Sequence, residues 1–147
     1  MNIEIKRISA DETRPLREKI LRPGQPLDKL IYSGDYNQEA YHVGAFSDNH
    51  LIGIASVYLK AKDDEDRIDS WQLRGMAIDH NLRGQNVGKK LLESCMEYIK
   101  FQNNYHLWCN ARLVAVGFYE KMGFKISSDE FEIPDIGPHY IMEIDLT

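Results

Sequence analysis

Gly84 and Gly88 enclose three residues in the stretch Arg83-Gly84-Gln85-Asn86-Val87-Gly88, and this is the part of the chain best suited to hold an anion. Before it, Trp71 to Ile78 has the apolar composition of a strand. After it, Val87, Leu91, Leu92, Cys95, Met96 and Ile99 recur at the spacing of one helical face. A strand, a short turn and a helix in that order aim the first free N–H groups of the helix, and its positive dipole end, at whatever occupies the turn. Glycines at 84 and 88 remove side chains that would keep phosphate oxygens from the backbone, so the stretch reads as a phosphate cradle. Two familiar cradles are excluded by spacing. A Walker loop needs four residues between its glycines and then Lys-Ser/Thr, whereas Lys89 is followed by Lys90 and no hydroxyl is placed for magnesium. The dinucleotide fingerprint fails because Asn86 stands two positions after Gly84. Asn tolerates the left-handed backbone region well, so the turn survives that substitution.

The elements that position this turn follow from periodicity. Ile3 and Ile5 alternate with Glu4 and Lys6 in a short opening strand. Ser9 and Glu12 have capping-box spacing for a helix through about Leu21, and a later start would suit Pro15 better. Leu27 to Glu39 is irregular, with a turn at Ser33-Gly34-Asp35. Tyr41 to Phe46 and Leu51 to Leu59 form a hairpin around Ser47-Asp48-Asn49-His50, and Trp71 to Ile78 extends it into a three-stranded antiparallel meander. Tyr105 to Cys109 is a strand reached by a helical crossover, which favours parallel pairing with the strand before the cradle. Arg112 to Met122 reads as a helix stopped by Gly123; Phe124 to Ser127 and Tyr140 to Leu146 are the last strands, with a loop over Ser128 to Pro138. The order predicts an α/β (α+β) fold: a mixed, mostly antiparallel sheet with helices on both faces.

Composition bounds the function. At 147 residues, 1–147 forms one domain with a sizeable core, and 43% hydrophobic with 28% charged side chains places it among ordinary globular proteins. Acidic groups outnumber basic ones, 23 to 18, for a formal charge of −5. That balance argues against nucleic acid or an anionic membrane as partner, and it permits a cationic or amine substrate. Cys95 and Cys109 belong to no close Cys/His cluster, so neither a metal site nor a disulfide framework is expected. No apolar run has the length of a membrane span, and a reducing cytoplasm is the expected location. A two-fold homodimer is the commonest assembly for such chains and stays open.

Arg83-x-x-Asn86-x-Gly88 resembles the Arg/Gln-x-x-Gly-x-Gly/Ala signature of the GNAT superfamily of N-acetyltransferases, with Asn86 as the departure. Asn110-Ala111-Arg112 followed by Phe118-Tyr119-Glu120-Lys121-Met122-Gly123-Phe124 is similar to the second half of that pattern, an Asn after a strand and Phe-Tyr-x-x-x-Gly-Phe closing the next helix. Gly137-Pro138-His139 resembles the C-terminal pattern of a sub-branch whose substrates are mostly unassigned. The resemblance implies a GNAT-like acyl-CoA acyltransferase fold that binds acetyl-CoA where two parallel strands, Trp71 to Ile78 and Tyr105 to Cys109, splay apart.

The resemblance also implies roles. Backbone amides of Gly84, Gln85, Asn86, Val87, Gly88 and Lys89 would hold the pyrophosphate, with Arg83 reinforcing them or standing as a solvated charge. Met76, Ala77 and Ile78 would pair with pantetheine as an added strand does, one N–H facing the thioester oxygen. Asn110 would bond the pantetheine amide or cap the next helix. Tyr119 is the candidate acid that eases departure of sulfur, against a packing role. The acceptor ammonium must lose a proton before attack. His139 is a candidate base, and His42 a second one for which a structural role is favoured. The expected activity is direct acetyl transfer to a primary amine of a small molecule or peptide. The alternative is a CoA-binding sensor or interaction module without chemistry, and longer acyl chains are a further variant.

Overall fold

Ser9 fixes where the first helix starts. Its hydroxyl accepts from the Glu12 N–H at 3.2 Å while the Glu12 carboxylate accepts from the Ser9 N–H at 2.8 Å. This closes the capping box in the computed structural model, which describes residues 2–63, 65–82 and 86–147. The short strand β1 (Ile3–Ile8) runs into this cap, and α1 (Ala10–Leu16) follows. The helix does not start later to spare Pro15; it holds the ring inside, and the chain then widens into one π turn over Arg17–Leu21. Arg22 N–H reaches back five residues to the Arg17 carbonyl at 2.8 Å. The cap secures the start, so the missing proline N–H is accommodated downstream.

β2 (Tyr41–Ser47) and β3 (His50–Leu59) form the expected hairpin. Asp48 and Asn49 supply its two-residue turn with φ of 49° and 66°, the mirror-image turn that matches strand twist. β4 (Ser70–Ile78) completes the meander, α2 (Val87–Phe101) crosses over, and β5 (His106–Arg112) lies parallel to β4. Strand β5 runs longer than its sequence pattern indicated. Asn110, Ala111 and Arg112 pair with Ile141, Tyr140 and His139, so the next helix starts late: α3 spans Val116–Lys121 after a single 3-10 turn, Leu113–Ala115. β6 (Lys125–Ile126), β7 (Phe131–Ile133) and β8 (Gly137–Asp145) end the fold. The expected loop over 128–138 thus contains a strand: Phe131 to Ile133 pairs with His139 to Gly137, with Asp135 turning the chain at φ 66°.

The sheet runs β1-β2-β3-β4-β5-β8-β6, with β7 added to β8, and every pairing except β4–β5 is antiparallel. Helix α2 buries Val87, Leu91, Leu92, Cys95 and Ile99 against Val43, Ala45, Ala55, Val57, Leu73, Leu107 and Met142. Each of its large aliphatic side chains contributes roughly 1.5–3 kcal/mol by leaving water. On the opposite face Leu16 of α1 packs with Ile8, Ile54 and Ala77. Among the described residues no helix is long and apolar enough to cross a membrane.

Candidate active site

Gly75 shapes the opening. Ser56 pairs with Arg74 and Ile54 with Ala77, so Gly75 and Met76 together oppose Ala55 as a β-bulge, and Gly75 takes φ +65°, which favours glycine. A Cβ there would lie 3.0 Å from the Tyr32 ring. The bulge bends β4 just where its parallel ladder with β5 ends, at Leu73 and Cys109. Beyond that pair the strands diverge, and the backbone groups of Arg74 to Ile78 that face β5 have no strand partner. They form an open edge able to receive an extended amide-bearing chain. The cleft between the strands has a volume of about 670 Å³ and is walled by Met76, Ala77, Ile78, Gly88, Asn110, Phe118, Tyr119 and His139.

The start of α2 closes one end. Asn86 adopts φ 60° and ψ 19°, the left-handed conformation expected of it, and makes no side-chain cap. Lys90 N–H donates to the Asn86 carbonyl at 3.1 Å. The amides of Val87, Gly88 and Lys89 therefore precede the first intrahelical bond and have no partner within the helix, the condition for an anion site. Gly88 has a role the sequence reading missed: a Cβ there would stand 3.1 Å from Ile78 Cδ1 and 3.3 Å from Phe118 Cζ. Its bareness lets α2, β4 and α3 pack closely, and Val87 likewise turns its side chain into the core, leaving only backbone for a ligand. Arg83, Gly84 and Gln85 lie outside the described residues.

Tyr119 of α3 is 8% exposed and wedged between the rings of Phe118 and Phe124, both at 5.2 Å. Burial, with Cys109 and Cys95 adjacent, pushes its phenol well above the ordinary tyrosine range. It lines the cleft, and its hydroxyl has no protein partner among the described residues. Asn110 does not cap a helix; it is an exposed position of β5 on the cleft wall, its side chain equally without a protein partner among the described residues.

His139 reaches the cleft through the β7–β8 hairpin. Gly137 starts β8 at φ 120°, and His139 pairs in register with both Arg112 and Phe131. Its Nδ1–H donates to the Gly137 carbonyl at 2.7 Å, because a carbonyl can only accept. In the neutral ring this leaves Nε2 with a free lone pair, the arrangement a base requires. His42 is different. Its Nε2–H donates to the Asp35 carbonyl at 2.9 Å and its Nδ1 accepts from Ser56 Oγ at 2.6 Å, while desolvation lowers its pKa. Both nitrogens are used in the interior, and His42 is structural.

Sequence reading missed the buried network beside the cleft. Arg17, fully buried, forks onto Asp35 at 2.6 and 3.1 Å and also donates to Leu30, Ser56 and Tyr58. Tyr58 and the Tyr32 N–H donate to the same carboxylate. Burial alone would raise the Asp35 pKa, but these donors hold it below the usual carboxylate range. The network fixes Tyr32 beside Gly75. One signal was available: Ala10, Thr13 and Arg17 share a helical face, an unusual phase for a cation. Among the described residues the cleft is lined by Arg22, Arg74 and Arg112 and by no carboxylate.

A meander, a crossover helix and a splayed parallel pair with a bare helix start define an acyltransferase of the GNAT type. The model of the acetyltransferase (GNAT) domain matches residues 7–146, and the chain belongs to that family. It is 34% identical over 140 residues, 95% of this chain and 94% of the relative, to the uncharacterized N-acetyltransferase YitI of Bacillus subtilis (strain 168). The fold is shared with Escherichia coli ElaA at a TM-score of 0.78 and 18% identity, covering 98% of this chain and 100% of that one. It is shared equally with an aminoglycoside 6'-N-acetyltransferase complexed with coenzyme A, at 0.79 and 14%, covering 98% and 97%.

Proposed function

We propose that the protein uses acetyl-CoA to acetylate a primary amine of a small molecule or peptide by direct transfer. The observation that carries this reading is the end of the β4–β5 ladder at Leu73 and Cys109, which opens one cleft onto both Tyr119 and His139. The residues present fit the donor: the unpaired edge over Met76, Ala77 and Ile78 suits pantetheine, Asn110 has a free amide beside it, and the first amides of α2 suit a diphosphate. An aminoglycoside 6'-N-acetyltransferase that shares the fold is complexed with coenzyme A, which supports an acyl-CoA as the donor. The donor supplies an activated carbonyl and a sulfur leaving group.

The chain's own groups manage protons. His139 Nε2 takes one from the acceptor ammonium, since only the neutral amine has a lone pair. Tyr119, kept protonated by burial, donates a hydrogen bond to the sulfur as charge develops there. Complete transfer is uphill already by roughly 2 kcal/mol from reference pKa values of a thiol and a phenol, and burial of Tyr119 increases that cost. Cys109 is 1% exposed and burial pushes its thiol up to about 12, which supports transfer without an acetyl-cysteine. Release of free thiol from acetyl-CoA over a panel of amines tests the proposal. Turnover with one or more amines is expected; tight binding of acetyl-CoA with no turnover would leave a sensor module instead.

A further inference from the structure

The cleft gathers positive charge in a protein whose net charge is −5. Arg22 follows the π turn, Arg74 lies on β4 and Arg112 ends β5, and among the described residues no Asp or Glu accompanies them on the cleft wall. Of the three, Arg74 is the one that stacks on an aromatic ring. Its guanidinium lies 4.5 Å from the centroid of the Tyr32 ring, which also carries Arg17 at 3.8 Å. Arg17 is neutralised by Asp35, whereas Arg74, half-buried, has no ion-pair partner among the described residues. A half-buried guanidinium set over a ring and lacking a carboxylate is a fork set for an anion from outside. An acceptor carrying only ammonium groups would instead meet three like charges. Leu21, Ile133 and Ile136 line the same cleft and suit an apolar body.

We propose that the acceptor amine also bears a carboxylate, which Arg74 binds beside Tyr32 while apolar atoms lie against Leu21, Ile133 and Ile136. This rests on the acetyl-transfer reading above. Arg74 is then a specificity residue, selecting amino acids or peptides with a free C-terminus over polyamines and simple alkylamines.

The test compares acetylation of aliphatic and aromatic α-amino acids, ω-amino acids and short C-terminally free peptides with that of their carboxamides and decarboxylated counterparts. A kcat/KM ratio of acid to amide of roughly 10- to 100-fold is expected, the size of one charge-assisted contact. Arg74→Gln should collapse that ratio and Arg74→Lys restore part of it, with acetyl-CoA binding measured by calorimetry in each protein. Amides, alkylamines or polyamines used as well as acids would overturn the inference and leave the acetyltransferase reading standing. So would an enzyme that binds acetyl-CoA and acetylates no acid. Failure to bind acetyl-CoA would overturn both.

Discussion

Leu73 and Cys109 are the last residues to face each other across the parallel β4–β5 ladder, and both strands continue past them without pairing to one another. A mixed sheet thereby acquires a slot with two unpaired backbone edges. The bulge at Gly75 is its physical cause, because two residues of β4 opposed to one of β3 turn that strand away from its other neighbour.

Tyr119→Phe removes one oxygen that has no protein partner among the described residues and leaves the ring packed between Phe118 and Phe124. The fold and acetyl-CoA affinity should persist while kcat falls about 100-fold, at the low end for a positioned proton donor. Steady-state thiol release and calorimetry check this; unchanged kcat would remove Tyr119 from the chemistry.

His139→Ala should lower kcat/KM at neutral pH by about 100-fold. In the variant, activity should climb roughly tenfold per pH unit toward the pKa of the acceptor ammonium, about 10.4 for a lysine-like amine, because solution must then remove the proton. A variant whose pH profile matches the parent's would show that Nε2 is not the base.

Cys109→Ser should retain acetylation, and mass spectrometry of the parent mixed with acetyl-CoA alone should find no acetyl adduct on that thiol. Burying a hydroxyl at this site costs about 1–3 kcal/mol, so thermal stability drops even as the chemistry survives.

Gly88→Glu places an anion at the start of α2 and a Cβ against Ile78 and Phe118. Gly88→Ala adds the Cβ alone. Acetyl-CoA binding should weaken at least about tenfold more in the Glu variant than in the Ala variant, since a full charge opposes a diphosphate over a few ångströms. Equal affinities in calorimetry would move the phosphates elsewhere.

Glu143 gives a pH signature away from the cleft. Burial favours its neutral form, but hydrogen bonds from Lys62 and His106 outweigh that and hold the carboxyl at about 2. A group with a depressed folded pKa stabilises the fold above its unfolded value of about 4.3 and loses that contribution as pH falls toward the folded one. The melting temperature of the parent should exceed that of Glu143→Gln at pH 6, and the gap should close between pH 4.3 and 2. A constant gap over that window would mean that Glu143 is not linked to folding through its charge.

Much of the scaffold was legible because it is local. Strand alternation, the Asp48-Asn49 turn and the buried face of α2 are written in residue types at short separations, and the Asn86 backbone conformation follows from its side chain. Both flanks of the cleft were readable for the same reason, and so were Tyr119 and His139 as candidates.

What escaped was settled by partners far along the chain. Asn110 to Arg112 stay extended because β8 pairs with them, although their sequence would equally open a helix. Residues 131–133 become a strand only because β8 offers an edge. The sequence by itself determined most of the elements, their order and a helix start with bare amides. The tertiary structure alone decided that Arg17 would be buried on Asp35, that the Tyr32 ring would meet two guanidinium groups, and that an acidic protein would line its cleft with arginine. Charge and packing across tens of residues depend on which backbone edges find each other, and no short pattern encodes that.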